Sequence, residues 1–383
     1  MARIPIAWLQ LSYERLRLMA ALAGIAFAVV LMLVQLGLWT ALFDAGVLLY
    51  SHMKADLFVV SGQYEYIIQS RSFPRQRLKQ VLAVDGVESA TPVYIGLASW
   101  KNPLKLDESA LMIVGFDPRS HAVTIPEVES KLQEISMPDV VLYDMQSNPK
   151  FGPIADLYKT NPRLSVEINR RRVRVGGIFN MGMGFAAVGN VFTSDTNFAR
   201  LFPNRYLDDV DVGLVRLKAG VDSVKVRDQL QSFLPSDVRV MTREEFLIHE
   251  KLFWDKVSPI GFIFAMGVLM GFVVGTVIVY QILYTDVSDH LAEYATLKAM
   301  GYGDGYLFSV VFKESLLLSV LGYIPGFLVT LAVYSVTTRN TGLLVSMTWE
   351  RAVTVLLLTI FMCCASGALA MRRIRSADPA EIF

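Results

Sequence analysis

Residues 257–284 read VSPIGFIFAMGVLMGFVVGTVIVYQILY, an apolar run without a charged side chain. A helix rises about 1.5 Å per residue, so roughly 20 residues cross the ~30 Å of hydrocarbon in a bilayer, and this run reads as a membrane span. Three further runs of this kind stand at Leu18–Phe43, Leu307–Val336 and Ala352–Met371. Their spacing decides the architecture. One lies near the N-terminus, three lie together near the C-terminus, and the more polar stretch Asp44–Lys256 separates them. The expected fold is an α-helical membrane protein with four transmembrane helices, one plus three. A large α+β extracytoplasmic domain is inserted between helices one and two.

Orientation follows from the cations flanking the spans. Arg3, Arg15 and Arg17 precede the first span, and Arg372, Arg373 and Arg375 follow the last. The positive-inside rule then places both termini in the cytoplasm. The expected division is a cytoplasmic N-terminal segment over 1–17, spans at 18–43, 257–284, 307–336 and 352–371, and an outer domain over 44–256 with room for two subdomains. An inner loop covers 285–306, a short outer loop 337–351 and a cytoplasmic tail 372–383. The first apolar run is longer than the ~7–15 residues of a signal-peptide core, which favours a retained anchor. Before it, Ile6, Leu9, Tyr13 and Leu16 fall near one face behind Pro5, the pattern of an amphipathic helix able to rest on the membrane surface.

Composition excludes several classes of function. The net charge is +1 over 383 residues, so nothing points to nucleic acid. The two cysteines, Cys363 and Cys364, sit side by side in the last span, so no disulfide staples the outer domain. The four histidines, His52, His121, His249 and His290, lack metal-ligand spacing. No phosphate-binding Gly-x-x-x-x-Gly-Lys-Ser/Thr occurs, and no serine sits in a nucleophile elbow. Neither catalysis nor a bound cofactor is expected of this chain.

In the outer domain, β-branched and aromatic runs predict strands at Asp56–Val60, Ala90–Ser99, Ala110–Phe116, Val140–Tyr143, Leu164–Ile168, Val173–Phe179, Asn190–Thr193 and Val212–Leu217. Helices are expected at Pro74–Val84, Pro126–Ile135, Thr196–Leu201 and Val221–Phe233. Arg170, Arg171, Arg172 and Arg174 form a basic run between two strands, either a solvated hairpin turn or a phosphate or headgroup contact. The glycine-dense Met181–Gly184 suggests a flexible loop or, with exposed Met and Phe185, a partner contact. Thr242 and Glu245 form a capping box that opens a stalk helix toward the second span, with a kink expected near Pro259. Phe246, Phe253 and Val257 recur along it, and Val47 and Leu48 are the expected partners from the outward end of the first span. Lys313 and Glu314 are charges just inside the third span, Lys313 able to snorkel and Glu314 expected to face the bundle.

The inner loop holds Asp289-His290-Leu291-Ala292-Glu293-Tyr294-Ala295-Thr296-Leu297-Lys298-Ala299-Met300-Gly301, expected as a short amphipathic helix stopped by Gly301. In this context it resembles the FtsX/MacB-type ABC transporter permease superfamily. Glu293, Leu297, Lys298, Ala299, Met300 and Gly301 match that family's Glu-x-x-x-Leu-Lys-Ala-hydrophobic-Gly segment, and Glu314 fits its acidic residue in the third span. The ending Arg375-Ser376-Ala377-Asp378-Pro379-Ala380-Glu381 and the stretch Gly86-Val87 through Pro92 are similar to further family features. The resemblance implies that residues 289–301 couple the chain to a separate ABC ATPase, which would carry the ATP and magnesium. It also implies a homodimer in a bacterial inner membrane that relays ATPase motion to the outer domain. Length and segments such as Ile113-Val114-Gly115-Phe116-Asp117-Pro118 are similar to the DevC-like subfamily. That adds a periplasmic membrane-fusion protein, a TolC-type outer-membrane channel and export of a glycolipid-like membrane lipid. Two alternatives stay open within the superfamily, an FtsX-like regulator of a cell-wall hydrolase and a lipoprotein-releasing permease. A membrane-anchored sensor is the alternative outside it.

Overall fold

The computed structural model describes residues 15–66, 71–184, 188–257, 259–290, 293, 296, 300–341 and 343–376, the side chains of 254–257, 304, 307 and 372–376 excepted. The expected amphipathic helix over 1–17 therefore lies almost wholly outside the described residues, as does most of the tail. The chain divides into two compact units. One holds the described residues up to Ala41, with Pro259–Asn340 and those from Val345 onward; the other holds Leu42–Ser258 and Thr341–Leu344.

Helix α1 (Arg15–Ser51) contributes residues to both units. The outer unit continues with β1 (Leu57–Ser61), β2 (Phe73–Pro74), α2 (Gln76–Val81), β3 (Val87–Lys101), β4 (Glu108–Phe116), α3 (Pro126–Glu129) and α4 (Leu132–Ser136). Then come β5 (Val140–Asp144), α5 (Ile154–Thr160), β6 (Ser165–Ile168), β7 (Arg171–Phe179), β8 (Asn190–Ser194) and α6 (Asp195–Leu201). It ends with β9 (Asp209–Val210), β10 (Val212–Leu217), α7 (Ser223–Phe233), β11 (Val238–Thr242) and α8 (Arg243–Val257). Nine strands form one sheet in the order β11-β1-β10-β3-β4-β8-β5-β7-β6, where the sequence left room for two subdomains. The far end of β3 also pairs with β6, Trp100 opposite Ile168 and Lys101 opposite Glu167, so the strands from β3 to β6 close on one another. Two pairs, β4 with β8 and β5 with β7, are parallel.

Strand alternation explains why these apolar runs are continuous. On β1, Leu57 and Val59 enter one core while Phe58 and Val60 enter the other, so a strand buried on both faces carries no polar alternate. All eight expected strands form. Short β2 and β9, the charged β11 and helix α5 were not expected. The single helix expected over Pro126–Ile135 is instead two, because Lys131 leaves helical geometry at φ −118°, ψ 16°.

The other unit is a bundle of α1 with α9 (Ile260–Asp289), α10 (Asp304–Thr341) and α11 (Trp349–Ser376). All four helices are long and apolar enough to cross a membrane. They approach one another through glycine. A Cβ on Gly275 would stand 2.7 Å from Ala28 Cβ and 2.4 Å from Met362 Sδ, and one on Gly326 would stand 2.8 Å from Val29 Cβ. Small residues are the usual means of close helix contact where lipid removes the hydrophobic drive. Helix α8 ends at Val257 and α9 opens at Ile260; the kink expected near Pro259 falls on Ser258, outside the described residues.

Candidate functional site

The inner loop is the first region singled out by the sequence. Asp289 and His290 do not belong to it as expected. Asp289 ends α9, and the His290 N–H donates to Asp286 O at 3.1 Å, continuing the helical ladder. Carboxylates at a helix C-terminus oppose its dipole; here Arg17 of α1 compensates, hydrogen-bonded to Asp289 and 3.6 Å from Asp286. Beyond that end, Glu293 and Thr296 are helical and exposed. Met300 donates its N–H to Thr296 O, is itself exposed, and is followed by Gly301 at φ +94°, the left-handed conformation of a residue that stops a helix. Leu291, Tyr294, Leu297 and Lys298 lie outside the described residues.

Behind this end of α9 lies Glu314. Its carboxyl is fully buried and faces Asp286, itself 8% exposed. Lys313, the next residue back, is exposed. To Glu314, expected to face the bundle, the structure adds Asp286, Arg17 and His290, whose Nδ1 is 3.7 Å from Asp286 Oδ1.

The opposite end of the same helices carries a second buried charge, one the sequence reading missed. Arg351, near the start of α11, donates to Ser346 O at 2.6 Å, to the Tyr334 hydroxyl at 3.4 Å and to Thr40 Oγ1. Its guanidinium also lies over the Tyr334 ring, 5.9 Å from the centroid. The Tyr334 hydroxyl donates to Leu33 O, beside Gly37, where any side chain would collide with it. One arginine thus ties α11 to α10 and α1.

In the outer unit, the stalk helix α8 is built as its sequence dictates. Thr242 N–H donates to Glu245 Oε2 at 2.9 Å and Glu245 N–H to Thr242 Oγ1 at 3.2 Å, the reciprocal pair of a capping box. Phe246 is fully buried, stacked on Phe58 at 4.3 Å and edge-on to Tyr50 at 4.6 Å, while Phe253 stacks on Tyr66 at 4.2 Å. The Val257 side chain lies outside the described residues. Of the expected partners, Leu48 packs against the core cluster that holds Phe246; Lys251 also meets Asp44 at 2.7 Å and Phe246 meets Tyr50. Tyr64 donates to the buried Glu250 at 2.6 Å and shares a hydrogen bond with Tyr50 at 3.0 Å; burial raises the Tyr64 phenol well above its ordinary range. Arg243, the first residue of α8, donates to Ser51 O and Met53 O at 2.7 Å each. It therefore places a cation on the carbonyls that end α1.

The glycine-dense loop is pinned rather than free at its start. Met181 is buried, against the partner-contact alternative, which had an exposed methionine. The buried Asp144 carboxylate accepts from the N–H groups of Met181 at 3.2 Å, Gly182 at 3.1 Å and Gln146 at 3.0 Å, and from Asn190 Nδ2 at 3.3 Å. Burial raises its pKa against the pull of these bonds. Phe185 lies outside the described residues.

Residues 257–379 match the family described as FtsX-like permease C-terminal. This part of the chain is an FtsX-like permease domain. The resemblance read from the inner loop is thereby matched at the level of the superfamily. The chain is also 22% identical over 332 residues to the uncharacterized ABC transporter permeases Rv0072 and MT0078 of two Mycobacterium tuberculosis strains, covering 86% of this chain and 85% of theirs. Among solved structures it is similar to the periplasmic region of MacB from Actinobacillus actinomycetemcomitans, with 12% identity and a TM-score of 0.36 over 52% of this chain and 93% of that one. The extracellular domain of the ABC-type transporter YknZ from Gram-positive bacteria gives 14% identity and a TM-score of 0.34 over 49% of this chain and 99% of that one.

The FtsX-like domain comprises α9 to α11 and the loop between α9 and α10, so Glu293, Glu314 and Arg351 all belong to it. Two of its features were present in the sequence as a signal that went unused. Gly267, Gly271 and Gly275 repeat every fourth residue on α9, as do Gly322 and Gly326 on α10, the small-x-x-x-small spacing of packed membrane helices. Arg351 gave no such signal, because its partners Thr40 and Tyr334 are distant in the chain.

Proposed function

We propose that this chain is the permease subunit of an ATP-driven ABC efflux system and passes ATPase motion to its outer domain. The observation that carries the reading is the FtsX-like match over a segment that includes the exposed Glu293, Met300 and Gly301. In this mechanism two copies of the chain sit in a bacterial inner membrane, both termini cytoplasmic. Each engages, through residues 293–301, a separate ATPase subunit holding ATP and magnesium. Displacement of that loop moves α9 directly, and Arg17 carries it to α1 through Asp286 and Asp289. Helix α1 is continuous to Ser51, where Arg243, Phe246 and Lys251 of α8 hold its last turns, so motion of α1 is delivered to the outer domain's own sheet. The cargo is a lipid or glycolipid-like amphiphile, passed to a membrane-fusion protein and a TolC-type channel as in DevC-like systems.

The test is Glu293→Lys in a chain co-produced with its ATPase. Cargo-dependent stimulation of ATP hydrolysis is expected to disappear while the protein still inserts in the membrane; stimulation at the parental level overturns the docking role. Orientation is tested separately in a background lacking Cys363 and Cys364. Lys105→Cys is expected to react with an impermeant maleimide from outside and Ala295→Cys is not; the reverse pattern overturns the topology.

A further inference from the structure

The structure splits the four arginines of the basic run into two pairs. Strands β6 and β7 are joined by Asn169 and Arg170, both left-handed at φ 49° and 62°, the geometry of a two-residue hairpin turn matched to strand twist. Asn169 is fixed on three sides: its N–H donates to Ser99 O at 2.8 Å, its Oδ1 accepts from Ser99 N–H at 2.8 Å, and its Nδ2 donates to Leu201 O at 3.0 Å. Arg171 and Arg174 are engaged in structure, the first by Asp139 at 2.7 Å and the second by Glu134 at 3.3 Å. Arg170 and Arg172 are exposed. Among the described residues neither belongs to an ion pair.

Strand register shows where they stand. Lys101 on β3 is opposite Glu167 on β6, which is opposite Arg172 on β7. Directly paired residues share a face, so these three form a row on the outward face. Trp100, Ile168 and Val173 on the other face are buried. The row, with Arg170, Ser165 and Leu106, lines a cavity of about 440 Å³, within the range of small-molecule sites. Lys101 contacts Glu167 at 3.4 Å. Three cations against one carboxylate leave two positive charges in excess, and both guanidiniums are free to fork onto oxyanions. A structural hairpin needs neither. Cross-strand pairing would be complete with Lys101, Glu167 and one further cation.

We propose that this cavity binds a phosphate-bearing headgroup, with Arg170 and Arg172 on the phosphate oxygens, Ser165 available to an adjoining hydroxyl and Leu106 to an adjoining apolar group. Glu167 opposes the ligand electrostatically while aligning Lys101 and Arg172. The site stands on the geometry of the outer domain alone; only naming a lipid source as cargo rests on the proposed export function.

The test is equilibrium binding to the full chain in nanodiscs of zwitterionic lipid, without ATPase, so failure of export and failure of binding are distinguishable. The probes are glycerol 3-phosphate and dihexanoyl phosphatidylglycerol, with dihexanoyl phosphatidylcholine as control. Saturable, salt-sensitive binding is expected for a phosphate probe, weakened by about tenfold or more in Arg170→Ala/Arg172→Ala. Glu167→Gln is expected to tighten it about threefold, since a like charge is removed. Tighter binding of the phosphatidylglycerol than of glycerol 3-phosphate identifies a lipid headgroup, and equal binding identifies a free phosphate compound. Absence of saturable binding to both probes, or equal affinity in the parent and both variants, overturns the site.

Discussion

The two ends of the membrane bundle are built differently. At one end Arg351 is bonded to a hydroxyl on α1, a hydroxyl on α10 and the carbonyl of Ser346, and its ring contact with Tyr334 completes the enclosure. At the other, Glu314 is fully buried against a second, nearly buried carboxyl, Asp286. A polar network of donors and acceptors holds one arrangement firmly, whereas two acids buried against each other are a standing cost that a different arrangement can relieve. Under the proposed function, the Arg351 end would serve as the pivot and the Glu314 end, next to the loop proposed to meet the ATPase, as the part that rearranges.

The strongest way to break this comparison is at the pivot. Arg351→Ala strips donors from the buried Tyr334 hydroxyl and the part-buried Thr40 Oγ1 and Ser346 O, and is expected to cost about 2 kcal/mol or more in thermal unfolding of the detergent-solubilised chain; a loss under about 1 kcal/mol would show that the end is not clamped. Next in size is Arg243→Ala at the base of the outer domain. Removing the cation from the end of α1 is expected to cost about 2 kcal/mol and to raise hydrogen exchange of the last turn before Ser51, with protection in β3 and β4 unchanged. Glu314→Gln sharpens the contrast, because the amide removes one of two acids buried against each other and offers an N–H to Asp286. Stability is expected to stay level or rise by about 1 kcal/mol, and a loss of 2 kcal/mol or more would mean that Glu314 is already satisfied.

The smallest effect is expected in the outer domain. Arg171's hydrogen bonds hold the Asp139 carboxyl below its usual range, outweighing the opposing effect of burial, with the charges of Arg171 and Arg200 helping. A depressed carboxylate contributes stability that is present above the ordinary value near 3.9 and is lost as pH falls through the depressed value. Arg171→Ala should therefore destabilise slightly at pH 7 and not at pH 2, measured by denaturant unfolding. Asp144, raised by burial, has the opposite sign: its stabilising contribution is present below about 3.9 and lost as pH rises through its higher folded-state value.

What could be read from the sequence was whatever is local. Apolar length gave the spans, and two-sided burial made strands such as Leu57–Ser61 continuous enough to see. Thr242 and Glu245 were readable because both halves of a capping box lie within one turn. Strand β11, the five residues VRVMT, was hidden by its short length and the charge of Arg239, and α5 by its short length between Pro153 and Asn161. The partners of Arg243, Arg351 and Glu314 are set by tertiary approach alone. Only the glycine stripes on α9 and α10 were legible and left unread.

The sheet's strand order also fixes when the outer domain can finish folding. Leu57 of β1 pairs with Val215 of β10 on one side and Thr242 of β11 on the other, so the first strand to emerge waits for nearly the last. Until then LFVVS, buried on both faces in the finished domain, has two bare edges and no cover. Such a strand is a template for wrong pairing. Maturation of this protein is therefore expected to depend on how the nascent outer domain is shielded while residues 62–237 are still being made.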